Sequence, residues 1–508
     1  MSGIKKLAGQ TIWYGVPRIF SRFLNFGISL LAFQLYAPQE SYAYSQVYAL
    51  IPFLNILFTY GIETSFFRFA QTHDRQKLYN TLNISVFGTT ILFTILMLIF
   101  HDPLVRFIEM EKHPEYVSWM IWIIFFDALY TLPLAKLRLE ERPRKYAFIN
   151  LFGIILNILL VFFFYYVAKP AYEQDHNTFF AILYHPDIGI GYLIISNLIA
   201  SGFTLLLLFK EFKRFRFDFD FKLWKEVMLY SYPLIIVGLG GMINEMLSRL
   251  VYRKILHLPA AVEEKELGIF AANYKLAVLI TIFIQVFRLA AEPFFFNQSG
   301  RDDARKIYAR VMKFFVIACC FMFLGVVLFL DAWKLLIAYK FKEYAEGIHI
   351  VPILTMAGVF LGIYYNLSVW YKLTDRNLSG AYITIAGAVI TIIMNIILIP
   401  YYGYTGAAWA TFICYASMMM ASYFLGQKHY PIPYPRKKLL TYLGISLIFF
   451  GIHQLIVWLL PDQAGYEPYI NFGSAFLLMG LFLLLILKVE RKELEKLPFV
   501  GKYLVRPV

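Results

Sequence analysis

Apolar stretches of about 20 residues recur from one end of the chain to the other, each closed by a short polar turn. A helix rising 1.5 Å per residue needs about 20 such residues to cross some 30 Å of hydrocarbon. The pattern therefore predicts an all-α polytopic membrane protein of about 14 transmembrane helices. The expected spans are 7–36, 43–69, 79–101, 116–137, 147–168 and 189–209, then 226–256, 268–296, 307–331, 348–371, 380–400 and 406–426, and finally 439–460 and 469–488. Polar connections no longer than about 20 residues leave no room for a separate soluble catalytic domain.

The basic residues divide the connections into two sets. One set holds Lys136, Arg138, Arg142, Arg144 and Lys145, the run from Lys210 to Lys225, Arg301, Arg305 and Lys306, and Arg436, Lys437 and Lys438. The opposite set is sparse, with Arg106, Lys112, Lys169 and Lys265 among its few members. The positive-inside rule then predicts that both termini are cytoplasmic.

An internal repeat supports a division into halves. Glu63-x-x-Phe66-Phe67, followed by Asp74, Lys77 and Tyr79, returns at an unchanged separation as Glu292-x-x-Phe295-Phe296, followed by Asp303, Lys306 and Tyr308. The two copies close the second and eighth spans, so the halves share one orientation and a pseudo-twofold axis along the membrane normal. Transporters built from parallel repeats have this symmetry, with the substrate site between the halves. The expected organisation is an N-lobe over 1–209, a cytoplasmic linker over 210–225, a C-lobe over 226–426, and an appended helix pair with a tail over 427–508. In the linker, Phe215, Phe217, Phe219 and Phe221 alternate with charged residues, as an interfacial connector would. Pro17 and Pro233 fall inside the first and seventh spans, where neighbouring helices can satisfy the freed backbone.

Composition agrees and narrows the function classes. The chain is 60% hydrophobic and 16% charged, with a net charge of +14. The charge sits in short loops suited to anionic headgroups, which excludes a nucleic-acid partner. Cys319, Cys320 and Cys414 lie within apolar spans and read as packing residues; no metal site and no cofactor are expected. Arg18 and Arg22 interrupt the first apolar stretch, which excludes a cleavable signal. Neither a phosphate-binding GxxxxGK[ST] loop nor an HExxH motif occurs, so the protein is not expected to be an enzyme.

The informative residues are charges placed where lipid should be. A charge at mid-bilayer costs roughly 2.5–3.5 kcal/mol even on the lenient insertion scale, so it normally faces a wet cavity or a partner. Arg18 and Arg22, four apart, share one face of the first span; Arg249 and Arg253 repeat that spacing in the seventh, and Lys275 lies in the eighth. Guanidinium groups match phosphate oxygens in two-point geometry, so these five are candidate ligands of a diphosphate, or alternatively partners of buried acids. The acids are Glu63, Asp127, Glu245 and Glu292. Glu245 with Arg249, and Arg288 with Glu292, are spaced to neutralise each other along one helix. Asp127, with no partner within four residues, either meets a basic residue from another helix or binds a coupling proton or Na⁺. Glu63 and Glu292 occupy equivalent repeat positions, as gate or packing determinants.

Three motifs in order, Gly9-Gln10-Thr11-x-Trp13-Tyr14-Gly15 leading into Ser21-Arg22-Phe23, Gly61-x-Glu63-Thr64-x-Phe66-Phe67-Arg68-Phe69, and Glu292-Pro293-Phe294-Phe295-Phe296, carry a resemblance over essentially the whole chain. The sequence resembles the polysaccharide-biosynthesis or O-antigen flippases, which translocate lipid-linked oligosaccharides and belong to the multidrug/oligosaccharidyl-lipid/polysaccharide exporter superfamily. That resemblance implies two six-helix lobes around a central cavity, alternating access without ATP hydrolysis, and a polyprenyl-diphosphate-linked sugar as cargo. It also implies a bacterial inner-membrane location, with membrane lipids and polysaccharide-assembly proteins as partners. The related lipid II flippases carry two extra C-terminal helices and cations in helices one, two and eight; Arg18, Arg22 and Lys275 match in kind, while the second span has no basic residue before Arg68. The drug exporters of the superfamily use acidic cavity residues, and the first span holds no acid. A cation-coupled drug or metabolite exporter is the alternative reading, and a membrane glycosyl- or acyltransferase the more distant one.

Overall fold

Helices form all the regular structure among the described residues of the computed structural model, which are 20–176, 178–212, 215–374, 376–459 and 467–495. Twelve helices within them are long and apolar enough to cross a membrane. The principal helices are α1 (Phe20–Leu35), α2 (Pro38–Thr59), α3 (Arg75–Ile99), α4 (Pro114–Leu139), α5 (Pro143–Phe163), α6 (Tyr192–Leu207) and α7 (Phe221–Leu256). They continue with α8 (Ala260–Gln298), α9 (Ala304–Val327), α10 (Val351–Leu367), α11 (Asn377–His429), α12 (Arg436–Leu459) and α13 (Glu467–Val489). The twelve spans differ from the expected count of about 14 at two places. Residues 378–429, expected as two spans, form one long helix broken at Gly403, whose φ of 53° and ψ of −136° a residue with a Cβ rarely adopts. The first span is described only from Phe20, as a shorter apolar helix; Arg18 and Pro17 lie outside the described residues.

Sequence explains several helix starts. Pro38, Pro114 and Pro143 stand in the first turns of α2, α4 and α5, where a missing N–H costs nothing. Asp74 caps α3 by accepting from the Lys77 amide at 2.7 Å, and Asp220 caps α7 by accepting from the Leu223 amide at 3.0 Å. Helix α2 ends at Tyr60 and Gly61, both left-handed, before the chain re-enters a short helix, Ile62–Phe69. At 36 residues α7 is about 54 Å long, well beyond the ~30 Å hydrocarbon layer, so its ends project into the interfaces with Lys222 and Lys225 at one and Arg253 and Lys254 at the other.

Two compact units emerge from the contacts within the chain: Met1–Ala272 with Thr384–Ala410, and Asn273–Ile383 with Thr411–Val508. Their boundary falls inside α8 and α11, at a different place from the 210–225 linker. In the first unit, Phe66, Tyr79, Leu82, Leu132 and Val227 bury one apolar cluster. In the second, Phe315, Phe323, Leu324, Tyr442 and Phe482 belong to a larger one that also takes in Cys319 and Cys320. All three cysteines are buried thiols outside any disulfide, as expected of packing residues.

The linker is stitched along α3. The Arg216 amide donates to Asn80 Oδ1 at 3.3 Å, the Asp220 amide to Thr81 Oγ1 at 3.2 Å, and Lys77 pairs with Asp220 at 2.7 Å. Phe217 is 87% exposed, and Phe209 and Phe221 are exposed as well. Just upstream, the buried Glu211 carboxylate receives Arg142 at 3.0 Å and Lys145 at 2.5 Å. Burial alone would raise its pKa; the Lys145 and Arg142 bonds outweigh it and hold Glu211 below the ordinary carboxylate range. The buried Lys136 completes this basic corner, donating to the Glu211 carbonyl at 3.4 Å with its ammonium 4.2 Å from the centre of the Tyr79 ring.

Candidate functional site

In the first unit the seventh helix turns a polar stripe inward. Gly240, Asn244, Ser248 and Tyr252, spaced by about one helical turn, are all buried, and so is Arg249 beside Ser248. Asn244 donates to the Thr384 carbonyl at 3.3 Å and accepts from Thr391 Oγ1 at 3.1 Å, which ties the stripe to α11. Tyr252 donates to Glu266 Oε2 at 2.5 Å. Arg249 is only 6% exposed, with Nη1 3.7 Å from Met246 Sδ. Glu245, one turn earlier, is exposed, and so is Arg22 on α1.

Arg253 sits differently from Arg249. Its guanidinium lies between Glu109 at 2.8 Å and Glu263 at 3.1 Å, while Glu263 also accepts the Leu258 amide at 2.7 Å. Beside it the buried Glu264 pairs with Lys112 at 2.8 Å. Together these bonds clamp the α7–α8 turn to the loop after α3. Burial raises the Glu109 pKa, against the lowering effect of Arg253. Glu63 pairs with Arg138, whose guanidinium lies 4.8 Å from the centre of the Phe67 ring; the repeat glutamate thus joins the short helix after α2 to the end of α4.

Asp127 lies at the centre of α4. One carboxylate oxygen accepts from Tyr130 Oη at 2.7 Å and from Ser201 Oγ on α6 at 2.9 Å. Of the two partners expected for it, a basic residue is not found among the described residues; its donors are neutral hydroxyls. Tyr48, whose hydroxyl accepts from Asn197 at 2.8 Å, is the nearby titratable group from α2.

The second unit holds Lys275 and Arg288, both on α8. Lys275 is half-buried, two residues after Asn273, which donates to the Tyr344 carbonyl at 2.8 Å. The Arg288 guanidinium lies 4.8 Å from the centre of the Tyr365 ring and borders a cavity of about 10 Å³ shared with Asn366. The Glu292 side chain lies outside the described residues.

One buried lysine in this unit is not among the candidates that the sequence offers. Lys313 on α9 is 4% exposed and bonds Glu490, just past α13, at 2.5 Å; Glu490 also receives Lys438 at 2.7 Å and Tyr442 Oη at 2.5 Å. Burial opposes the charged form of Glu490, but the Lys313, Lys438 and Tyr442 bonds outweigh it and hold the carboxyl below its usual range. A lysine two turns into an apolar window was the available signal.

These features define a multi-pass, all-helical membrane protein with charged groups embedded in its spans. Residues 7–299, more than half of the chain, match the family described as "Polysaccharide biosynthesis protein", and the protein belongs to that family. No curated protein matches the chain. Among solved structures it is similar to the lipid II flippase MurJ in an inward closed conformation, at 15% identity and a TM-score of 0.67 over 94% of this chain and 99% of that one. It is also similar to an inward-facing multidrug resistance MATE family transporter of the MOP superfamily, at 15% identity and 0.65 over 84% and 96% of the two chains. The Vibrio cholerae MATE transporter VcmN in its bent form matches at 13% and 0.51, over 87% and 99%. At these identities the likeness is one of fold, the fold that the MOP-superfamily structures share.

Proposed function

We propose that this protein is a flippase that carries a polyprenyl-diphosphate-linked oligosaccharide from the cytoplasmic to the outer leaflet of a bacterial inner membrane by alternating access. The observation that carries this reading is Arg249, a guanidinium buried in a membrane-spanning helix of a polysaccharide-biosynthesis family member. Holding a cation there is costly unless it serves an anionic ligand or a fixed partner, and a guanidinium is suited to a diphosphate. In this reading Arg18, Arg22, Arg249 and Lys275 engage the diphosphate, Arg253 with its two carboxylates acts at the outer end, and Glu63, Glu245, Arg288 and Glu292 serve the gates. The N-lobe is 1–209, the C-lobe 226–426, and both termini are cytoplasmic. An anionic cargo is driven outward by the membrane potential at about 2.3 kcal/mol per charge per 100 mV. Polysaccharide-assembly proteins are the expected partners.

The deciding experiment is translocation of a polyprenyl-diphosphate-linked glycan in proteoliposomes. Arg249→Ala is expected to abolish it and Arg249→Lys to restore only part, since an ammonium lacks the two-point geometry. Full activity in Arg249→Ala would refute the assignment.

One observation favours a second reading, a cation-coupled exporter. Asp127 is a membrane-embedded carboxylate held by hydroxyls, the kind of group that takes up a proton or Na⁺. Dye efflux lost in Asp127→Asn, with glycan translocation absent from the unmodified protein, would select it.

A further inference from the structure

The second unit contains an apolar cavity of about 310 Å³ that serves none of the residues discussed above. Four helices turn paired side chains into it: Met312 and Val316 from α9, Ile363 and Leu367 from α10, and Met420 and Phe424 from α11, with α12 closing the fourth wall. Each pair is four residues apart, so each helix commits a whole face to the space. The volume falls within the range of small-ligand sites. A single hydrocarbon chain fits it, and methionines adapt to chains of varied shape.

The lining itself is apolar, and one end of it reaches the exposed, basic start of α12. Arg436 lines the cavity, at the first residue of α12, and Lys437 follows. Lys438 is neutralised by Glu490. Arg436 and Lys437 have no ion pair and no side-chain hydrogen bond among the described residues. Tyr434, also in the lining, has a hydroxyl with no hydrogen-bond partner among the described residues, and burial pushes its pKa up. Helix α12 begins after Pro435, which offers no capping side chain; the Arg436 amide donates to the Tyr434 carbonyl at 2.8 Å, which leaves the Lys437 and Lys438 amides of the first turn for an anion. An apolar slot ending in two uncommitted cations, a phenol and a helix start has the chemistry of a lipid with a phosphate head.

We propose that this cavity binds an anionic phospholipid of the leaflet that faces the basic loops, one acyl chain between α9, α10, α11 and α12 and its phosphate at Arg436 and Lys437. The lipid is a resident ligand of the second unit, distinct from the cargo. Each basic residue near an anionic headgroup contributes about fivefold in preference, the equivalent of about 1 kcal/mol.

The test is native mass spectrometry of the full chain released from nanodiscs of phosphatidylglycerol and phosphatidylcholine in equal amounts. The unaltered protein is expected to retain phosphatidylglycerol selectively. Arg436→Gln with Lys437→Gln, both exposed and so tolerated by the fold, is expected to reduce that preference about 25-fold. Met420→Trp, which fills the slot, is expected to lose the retained lipid while keeping both charges. Equal retention of the two lipids by the unaltered protein, or an undiminished preference in the double variant, would overturn the proposal. So would displacement of phosphatidylglycerol by an equimolar polyprenyl diphosphate, which would make the slot part of the cargo path.

Discussion

Phe66 packs on Tyr79 with ring centroids 6.2 Å apart, and both side chains are almost fully buried. The counterpart pair from the repeat, Phe295 and Tyr308, meets at 5.3 Å and is buried to the same degree. Both pairs join a helix end to the start of the next span across a short turn. The turns are alike too, with Asp74 and Asp303 at equivalent cap positions, although Asp74 accepts an amide while Asp303 pairs with Arg301. The recurrence in sequence is thus a recurrence of packing.

Equal packing implies equal cost. Phe66→Ala and Phe295→Ala each remove a buried ring and are expected to cost about 3–5 kcal/mol. Thermal unfolding of the detergent-solubilised protein should show two similar losses; a change at Phe295 that leaves the midpoint untouched would break the equivalence of the two turns.

Glu211 makes stability depend on pH at the acidic end. Its folded pKa is lowered by Lys145 and Arg142 against the opposing effect of burial, so its contribution is present above the unfolded carboxylate value of about 4.3 and is lost as pH falls through the lower folded value. Glu211→Gln is expected to cost about 1.5–3 kcal/mol at neutral pH, the worth of hydrogen bonds to a charged group, and to flatten the unfolding midpoint below about pH 4.3. Parallel acid limbs in variant and parent would show that the carboxylate does not carry this dependence.

Hydropathy located most of the spans, because crossing a bilayer is a local requirement on about 20 consecutive residues, and the repeat was legible in identical residues returning at one separation. The outline of the candidate site was legible for the same reason: Arg249 and Asp127 stand out as charges in apolar windows. Their partners were not. The Tyr130 and Ser201 hydroxyls around Asp127 leave no charge signature in the sequence, and Arg253 finds Glu109 across 144 positions of chain. A single left-handed glycine and a polar turn look alike in one dimension, so the Gly403 break has the sequence signature of a loop between two spans. Lys313 carries the same signal, a charge in an apolar window, but its counter-charge, Glu490, follows the last span, far along the chain.

The Lys313–Glu490 pair permits a test of how embedded charges are balanced. Glu490→Leu leaves the buried Lys313 with only the half-exposed Glu493, 3.0 Å away, and is expected to cost about 3 kcal/mol, near the lower end for a broken buried pair. Lys313→Met is expected to cost less, because Glu490 keeps Lys438 and Tyr442. Lys313→Met with Glu490→Leu should recover most of the loss of the glutamate variant, since two apolar side chains in place of a buried ion pair are often neutral. A double-mutant cycle on unfolding free energies reads all three; strict additivity would mean that the two residues do not interact.

Asp127 provides the test of coupling under the reading proposed above. Among the described residues, the groups facing its carboxylate are Tyr130 on its own helix, Ser201 on α6 and, nearby, Tyr48 on α2, and none of them is a fixed cation that would compete with an incoming proton or Na⁺. Asparagine retains an oxygen that accepts from both hydroxyls but cannot change charge. Asp127→Asn is therefore expected to fold and insert normally, with an unfolding midpoint close to that of the parent, while translocation in proteoliposomes loses its response to an imposed proton or sodium gradient. Gradient-free translocation should persist, because the basic residues assigned to the cargo are untouched. The two readouts separate a coupling role from a structural one: a variant that is destabilised yet still follows the gradient places Asp127 in packing, and its hydroxyl donors with it.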